Sequence, residues 1–341
     1  MIIDMHCHLA PPKWAESKPL PPLLTDIDGF FQRREQAGVT FSVISNPMMN
    51  VPGTQQNDTT RDKIREYEDF AASVIASHPG RVSAFLGVNP LGGNEILYEA
   101  ERAVKQNGFK GITINSNVDG EYLDTPKADD FWALIAELDV PVFVHPPALP
   151  CGYQGIHDFR LVEHAGRPCD VALGLAAIIF SGVLERYPSL VIIGGMAGGG
   201  LAMLPGRLDM GYRYAHWQGG PAQGQSRARG GAGAPPFVPQ SVGQAPDRIS
   251  QEPSNFVRQI YVDSCTYSVP AMQCNLAVYG SQHIIFGSDS PPVNLPLEAS
   301  VRLIQSLPLT VEEQENILWR NAARILKLEE YSHVQNANHQ S

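Results

Sequence analysis

Short runs of apolar, largely β-branched residues alternate along this chain with longer stretches in which apolar positions recur every three to four residues. The short runs predict strands at 2–6, 39–45, 82–88, 111–114, 140–145, 190–193, 260–263 and 284–287. The longer stretches predict helices at 26–37, 60–78, 94–106, 128–138, 170–186 and 270–279, with a closing pair at 297–306 and 311–326. Strands that are apolar on both faces and separated by helices imply a parallel sheet covered on both sides. Eight such units predict an α/β fold, the (β/α)8 TIM-type barrel. An open, doubly wound sheet would want a Gly-rich phosphate loop after its first strand, where this chain instead places His6-Cys7-His8 and then Pro11 and Pro12.

Two regions depart from the alternation. Residues 218–253 are rich in Gly, Pro, Gln and Ser and carry Arg227, Arg229 and Arg248, a composition that predicts a long loop insertion: a surface excursion, a lid or a subunit-contact arm. The tail at 331–341 is polar. Predicted strands fall on both sides of the insertion, so residues 1–330 read as one barrel domain.

Composition narrows the range of functions. The chain has 341 residues, 43% hydrophobic and 18% charged, ample for a buried core. A formal net charge of -10 without a long basic run argues against a nucleic-acid or anionic-membrane partner and favours a small-molecule substrate. The first residues show no signal-peptide pattern, and no apolar run is long enough to span a bilayer, so a soluble, cytoplasmic protein is expected. Cys7, Cys151, Cys169, Cys265 and Cys274 are odd in number and scattered, which suggests neither a disulfide framework nor a cysteine zinc site.

The chemistry concentrates at predicted strand ends. His6 and His8 lie two residues apart at the end of the first strand, so period 2 sends both imidazoles to one face and Cys7 to the other. His145 ends the fifth strand, and Asp289 follows the eighth. Barrel enzymes carry their active groups at this end. Three histidines and a carboxylate meeting there would fill most of a divalent metal's coordination shell and leave room for water. Asn46, Asn89 and Asn115 also end strands, as substrate contacts or as turn formers.

The segments Ile3-Asp4-Met5-His6-Cys7-His8, Phe143-Val144-His145-Pro146, residues 181–188 and Gly287-Ser288-Asp289 resemble the amidohydrolase superfamily, within it the branch of aminocarboxymuconate semialdehyde decarboxylase. The likeness runs from Met1 to about Leu328, the 218–253 segment excepted. It implies that His6, His8, His145 and Asp289 hold one zinc, or in some members manganese. The carboxylated lysine of binuclear relatives is absent at Ile114-Asn115-Ser116. It further implies a carbon-carbon lyase, a decarboxylase of a small unsaturated or aromatic carboxylic acid with Asp289 catalytic, or else a hydrolase or hydratase on the same metal. Relatives are commonly homo-oligomers, dimers or tetramers. One departure stands out: where such proteins carry an acid/base histidine before a glycine run, this chain reads Met196-Ala197-Gly198. A divergent mechanism, a differently aligned loop and an inactivating substitution are all open, as is a metal-free binding barrel, and His164, His157 and His216 are the nearest replacements. Arg207 matches a basic residue that would clamp a substrate carboxylate or pair with Asp209. Asn46 and Asn115 complete the expected substrate contacts.

Overall fold

The computed structural model describes residues 1–17, 20–45, 58–212, 248–293 and 295–328. Asn46, His216, positions 218–247 of the predicted insertion and the 331–341 tail lie outside the described residues.

Eight parallel strands form a nearly closed barrel: β1 Ile3–His8, β2 Phe41–Ser45, β3 Val82–Gly87, β4 Gly111–Asn115, β7 Val142–His145, β8 Ile192–Gly194, β9 Tyr261–Asp263 and β10 Ile284–Ile285, adjacent in that order. A hairpin of β5 Asn117–Val118 and β6 Glu121–Tyr122 follows β4. β1 and the chain beyond β10 close the ring through Met5 N–H donating to Phe286 O at 2.9 Å, Asp289 N–H to His6 O at 2.8 Å and His8 N–H to Ser290 O at 3.0 Å. The strands are buried almost throughout, as expected of a sheet covered by helices. Strands on both sides of residues 213–247 belong to this one sheet.

Helices Ile27–Gln36, Asp58–Ser77, Gly93–Asn107, Asp129–Leu138, Val269–Tyr279 and Leu297–Gln305 match their predicted spans to within two residues. Two expectations are corrected. The helix predicted over 170–186 begins earlier and breaks: Arg167–Phe180 ends before Gly182, whose φ of 76° is left-handed, and Val183–Arg186 resumes. Positions 248–253 of the expected loop are packed chain, with Ile249 buried and Pro253 opening the helix Pro253–Val257.

Asp170 ties the hairpin down. Its buried carboxylate accepts from Ser116 Oγ, from Asn117 Nδ2 and Tyr122 Oη at 2.7 Å each, and from Cys151 N–H at 2.9 Å. The loops after β4 and β7 therefore share one anchor. No helix among the described residues is long and apolar enough to cross a membrane.

Candidate metal centre

Two strand ends deliver the three imidazoles. β1 carries a register shift against β2 between Asp4 and Cys7, so His6 lies within the irregular stretch and His8 follows it, paired with Ser45. β7 brings His145 opposite Asn115 of β4. The ring centroids of His6, His8 and His145 form a nearly equilateral triangle, 5.1, 5.1 and 5.2 Å apart, with rings close to perpendicular in every pair.

Each Nδ1 is engaged outward. His6 Nδ1 lies 2.6 Å from Asp263 Oδ2, His8 Nδ1 3.0 Å from Ser45 Oγ and His145 Nδ1 2.9 Å from Pro146 O. A carboxylate and a carbonyl only accept, so His6 and His145 carry their hydrogen on Nδ1 and turn the Nε2 lone pair inward. The inward atoms meet Asp289, whose Oδ1 is 3.2 Å from His8 Nε2 and 3.4 Å from His6 Nε2. One ligand atom from each of the four side chains lies within 4.8 Å of every other, and all four residues are buried. His6 Nε2, buried, makes no hydrogen bond.

Charge follows burial. Desolvation and the neighbouring imidazoles push His145 well below the usual histidine range, and desolvation holds His8 below it. Burial acts the same way on His6, but the Asp289 and Asp263 carboxylates outweigh it and raise that ring. Burial would lift the Asp289 carboxyl, yet His6, His8 and His145 hold it far below the ordinary carboxylate range. A zinc-like divalent ion binds neutral imidazoles and an ionised carboxylate; His8, His145 and Asp289 are held in those forms, and on His6 the ion would take the place of the proton that the two carboxylates favour. Two donors on one such ion stand about 3.3 Å apart, close to the spacings seen here. The second cluster, His6 with Asp263 and Cys265, includes the 2.6 Å contact, which is a hydrogen bond and too short to bracket an ion.

Asp263 does more than hold His6. It is fully buried and also accepts from Ala197 N–H at 2.6 Å, Cys265 N–H at 3.0 Å and Met196 N–H at 3.2 Å. Gly287 permits this arrangement, since a Cβ there would come within 2.8 Å of His6 Cβ and 3.1 Å of Asp263 Cβ. Asp4 supports the opposite side: its carboxylate accepts from Ser288 Oγ at 2.6 Å and Ser288 N–H at 3.1 Å, fixing the turn that presents Asp289. Asp289 itself is left-handed, with φ of 54°.

A cavity of about 420 Å³ opens over this cluster, lined among others by Asp289, Met196, Ala197, Cys265, Tyr267 and His164. Ala197 has φ of 55°, a conformation that histidine and asparagine adopt more readily than alanine. Of the alternatives to a histidine there, His164 lines the cavity and His157 is exposed without lining it. Arg207 is exposed on the helix Pro205–Tyr212 and does not line the cavity, while Asp209 accepts from Ser254 N–H at 2.9 Å. Asn115 sits half-buried beside His145 and does not line it either. Asn89 is a turn former, its Oδ1 accepting Leu91 N–H at 2.8 Å. Sequence reasoning missed Asp263, although it ends the predicted strand 260–263 just as His145 ends another.

Residues 3–328 match the family model described as Amidohydrolase. The chain is 26% identical over 79% of its length to 2-amino-3-carboxymuconate-6-semialdehyde decarboxylase of Dictyostelium discoideum, covering 67% of that protein. It is 30% identical over 51% of its length to gamma-resorcylate decarboxylase of Polaromonas sp. (strain JS666), covering 56% of that protein. The chain thus spans between half and about two thirds of the curated relatives' own length. The crystal structure of dihydroxybenzoic acid decarboxylase from Polaromonas sp. JS666, with bound manganese and the inhibitor 2-nitroresorcinol, superposes with a TM-score of 0.77. That match has 22% identity and covers 96% of this chain and 97% of that one, a likeness of fold.

Proposed function

This chain belongs to the amidohydrolase family, and from that premise we propose that it is a metal-dependent carbon-carbon lyase that decarboxylates a small aromatic or unsaturated carboxylic acid. The observation that carries the reading is the convergence of His6, His8, His145 and Asp289 within 4.8 Å, with the imidazole Nδ1 atoms engaged outward. In this reading residues 1–330 form the catalytic domain, with an insertion that ends before the packed chain at 248–253, and 331–341 a tail.

Those four side chains would hold one divalent ion, zinc by donor chemistry, with manganese the alternative given the manganese-bound Polaromonas structure. When bound, such an ion polarises a carboxylate or neighbouring oxygen and acidifies water. The remaining work falls to the protein. Asp263, Ser45 and the Pro146 carbonyl keep the three rings aimed at one point, so that no reorganisation is needed when the acid arrives. Asp289 lines both the imidazole cluster and the cavity. It takes a proton from the entering acid or from solvent and returns it to the carbon that loses carbon dioxide. The electron pair left by the broken carbon-carbon bond thus becomes a carbon-hydrogen bond. Hydrolysis would need an activated water, and Ala197 offers no group to share its proton, which favours decarboxylation.

The test is direct. Purified protein should hold about one zinc or manganese per chain and release carbon dioxide from candidate aromatic acids. Asp289→Asn should lower that rate at least about a hundredfold. Undiminished release from metal-stripped protein, or from Asp289→Asn, would end the proposal.

A further inference from the structure

Tyr267 stands at the cavity in a conformation that its own side chain does not favour. It follows β9 in the turn 264–268, and its φ of 55° lies in the left-handed region where a bulky non-glycine residue is a genuine outlier. The turn is locked around it: Thr266 N–H donates to Ser264 O at 2.8 Å, Thr266 Oγ1 donates to Ser268 O at 3.0 Å, and Ser268 N–H donates back to Thr266 Oγ1 at 3.0 Å. Strain maintained by such a network is characteristic of functional turns.

The locked turn leaves Tyr267 partly exposed while it lines the same cavity as Asp289. The phenol's own partners hold it weakly: it reaches Ser288 O at a long 3.4 Å and lies beside the Cys265 thiol, a poor hydrogen-bonding group. That carbonyl belongs to the residue before Asp289, so the hydroxyl sits beside the proposed proton donor. Burial first, then Cys265 and the Asp289 and Asp263 carboxylates, push its ionisation far up, and it remains a donor.

We propose that Tyr267 is a specificity-determining residue whose hydroxyl leaves its long contact with Ser288 O to hydrogen-bond an oxygen substituent of the bound acid, registering the ring against Asp289. The inference rests on the decarboxylase reading above. It implies that the acid carries a hydroxyl or a comparable oxygen acceptor besides its carboxylate.

Binding to the zinc- or manganese-loaded protein tests it, with benzoate and 2-, 3- and 4-hydroxybenzoate as probes. Wild type should bind at least one hydroxybenzoate about tenfold more tightly than benzoate. Tyr267→Phe keeps the ring and the same backbone demand. It should remove that preference while leaving benzoate affinity and metal content within about twofold. Tyr267→Asn suits the left-handed turn and lacks the phenol; it should lose the preference too while retaining the metal, which separates recognition from folding. A preference unchanged in Tyr267→Phe overturns the role of Tyr267 and leaves the decarboxylase reading standing. Wild-type, metal-loaded protein that binds none of the four acids overturns both.

Discussion

Asp263 Oδ2 lies 2.6 Å from His6 Nδ1, and the other oxygen of the same carboxylate lies 2.6 Å from the backbone N–H of Ala197. One buried side chain thus sets the direction of a candidate metal ligand and the shape of the turn where relatives are expected to place a histidine.

The first prediction follows. Asp263→Asn preserves size but replaces one acceptor oxygen with an NH2 group, which must face either the hydrogen on His6 Nδ1 or the Ala197 and Cys265 N–H groups, so the link between ring and turn is broken on one side. Metal affinity measured by chelator competition should fall about 10- to 100-fold, the range typical of lost partners behind metal-bound histidines. Affinity equal to wild type would show that His6 needs no help from Asp263.

Ala197 yields a second prediction. Its φ of 55° already suits an imidazole, so Ala197→His should fold with a stability close to wild type. The new ring would project beside Asp289 in the cavity. The pH profile of kcat/KM should then gain a limb near the ordinary histidine pKa of about 6.5 that wild type lacks. An unchanged profile would mean that a ring at 197 does not reach the reacting groups.

Much of this architecture is legible in the sequence, for a physical reason. Strands covered on both faces must be apolar without interruption, and that demand writes itself into runs such as Val142-Phe143-Val144. Parallel strands then put every strand end on one rim, and this predicts that His6, His8, His145 and Asp289 meet. What the sequence conceals are contacts made by single residues across long separations. Asp263 is 257 positions from His6, and a lone strand-end acid has no periodicity to announce it. The left-handed turn at Tyr267 is invisible because no glycine or asparagine marks it, and at Ala197 the following glycines mark a turn without showing that the alanine itself joins it. The break after Phe180 was signalled by Gly182, but the apolar pattern on either side hid it. Asp170 reads as the start of a helix, whereas it sits inside one and spends its carboxylate on the neighbouring hairpin.

A pH prediction comes from the rim of the barrel. Glu66 accepts from Trp14 Nε1 at 2.6 Å and pairs with Lys13 and Lys63 at 3.1 Å each. The Trp14 hydrogen bond first, then the two lysines, bring its carboxyl from the ordinary 4.5 down to about 2 against an opposing effect of burial. A depressed folded-state pKa stabilises the fold above the unfolded value and loses that contribution as pH falls through the folded one. The stabilisation should therefore be complete above about pH 4.5 and vanish towards about pH 2. With solvent screening it is on the order of 1 kcal/mol. Denaturant unfolding of wild type and Glu66→Gln should differ by that amount at pH 6 and converge in acid. A constant gap would place the effect in packing instead.

The last prediction concerns Asp170, where four donors from three separate segments share one buried carboxylate. Asp170→Ala removes the acceptor and strands Ser116 Oγ, Asn117 Nδ2, Tyr122 Oη and the Cys151 N–H, some of them out of reach of water. Each unsatisfied buried donor costs about 1–3 kcal/mol, reduced where the hairpin can loosen and admit solvent, so a net loss of about 3 kcal/mol is expected. Asp170→Asn retains one acceptor oxygen and should lose roughly half as much. The hairpin follows β4 and Cys151 follows β7, so loosening the anchor should also speed amide hydrogen exchange at 117–122 and 151 while leaving β1 and β10 protected. Exchange that rises uniformly around the barrel would show that Asp170 supports the whole fold and not these two loops.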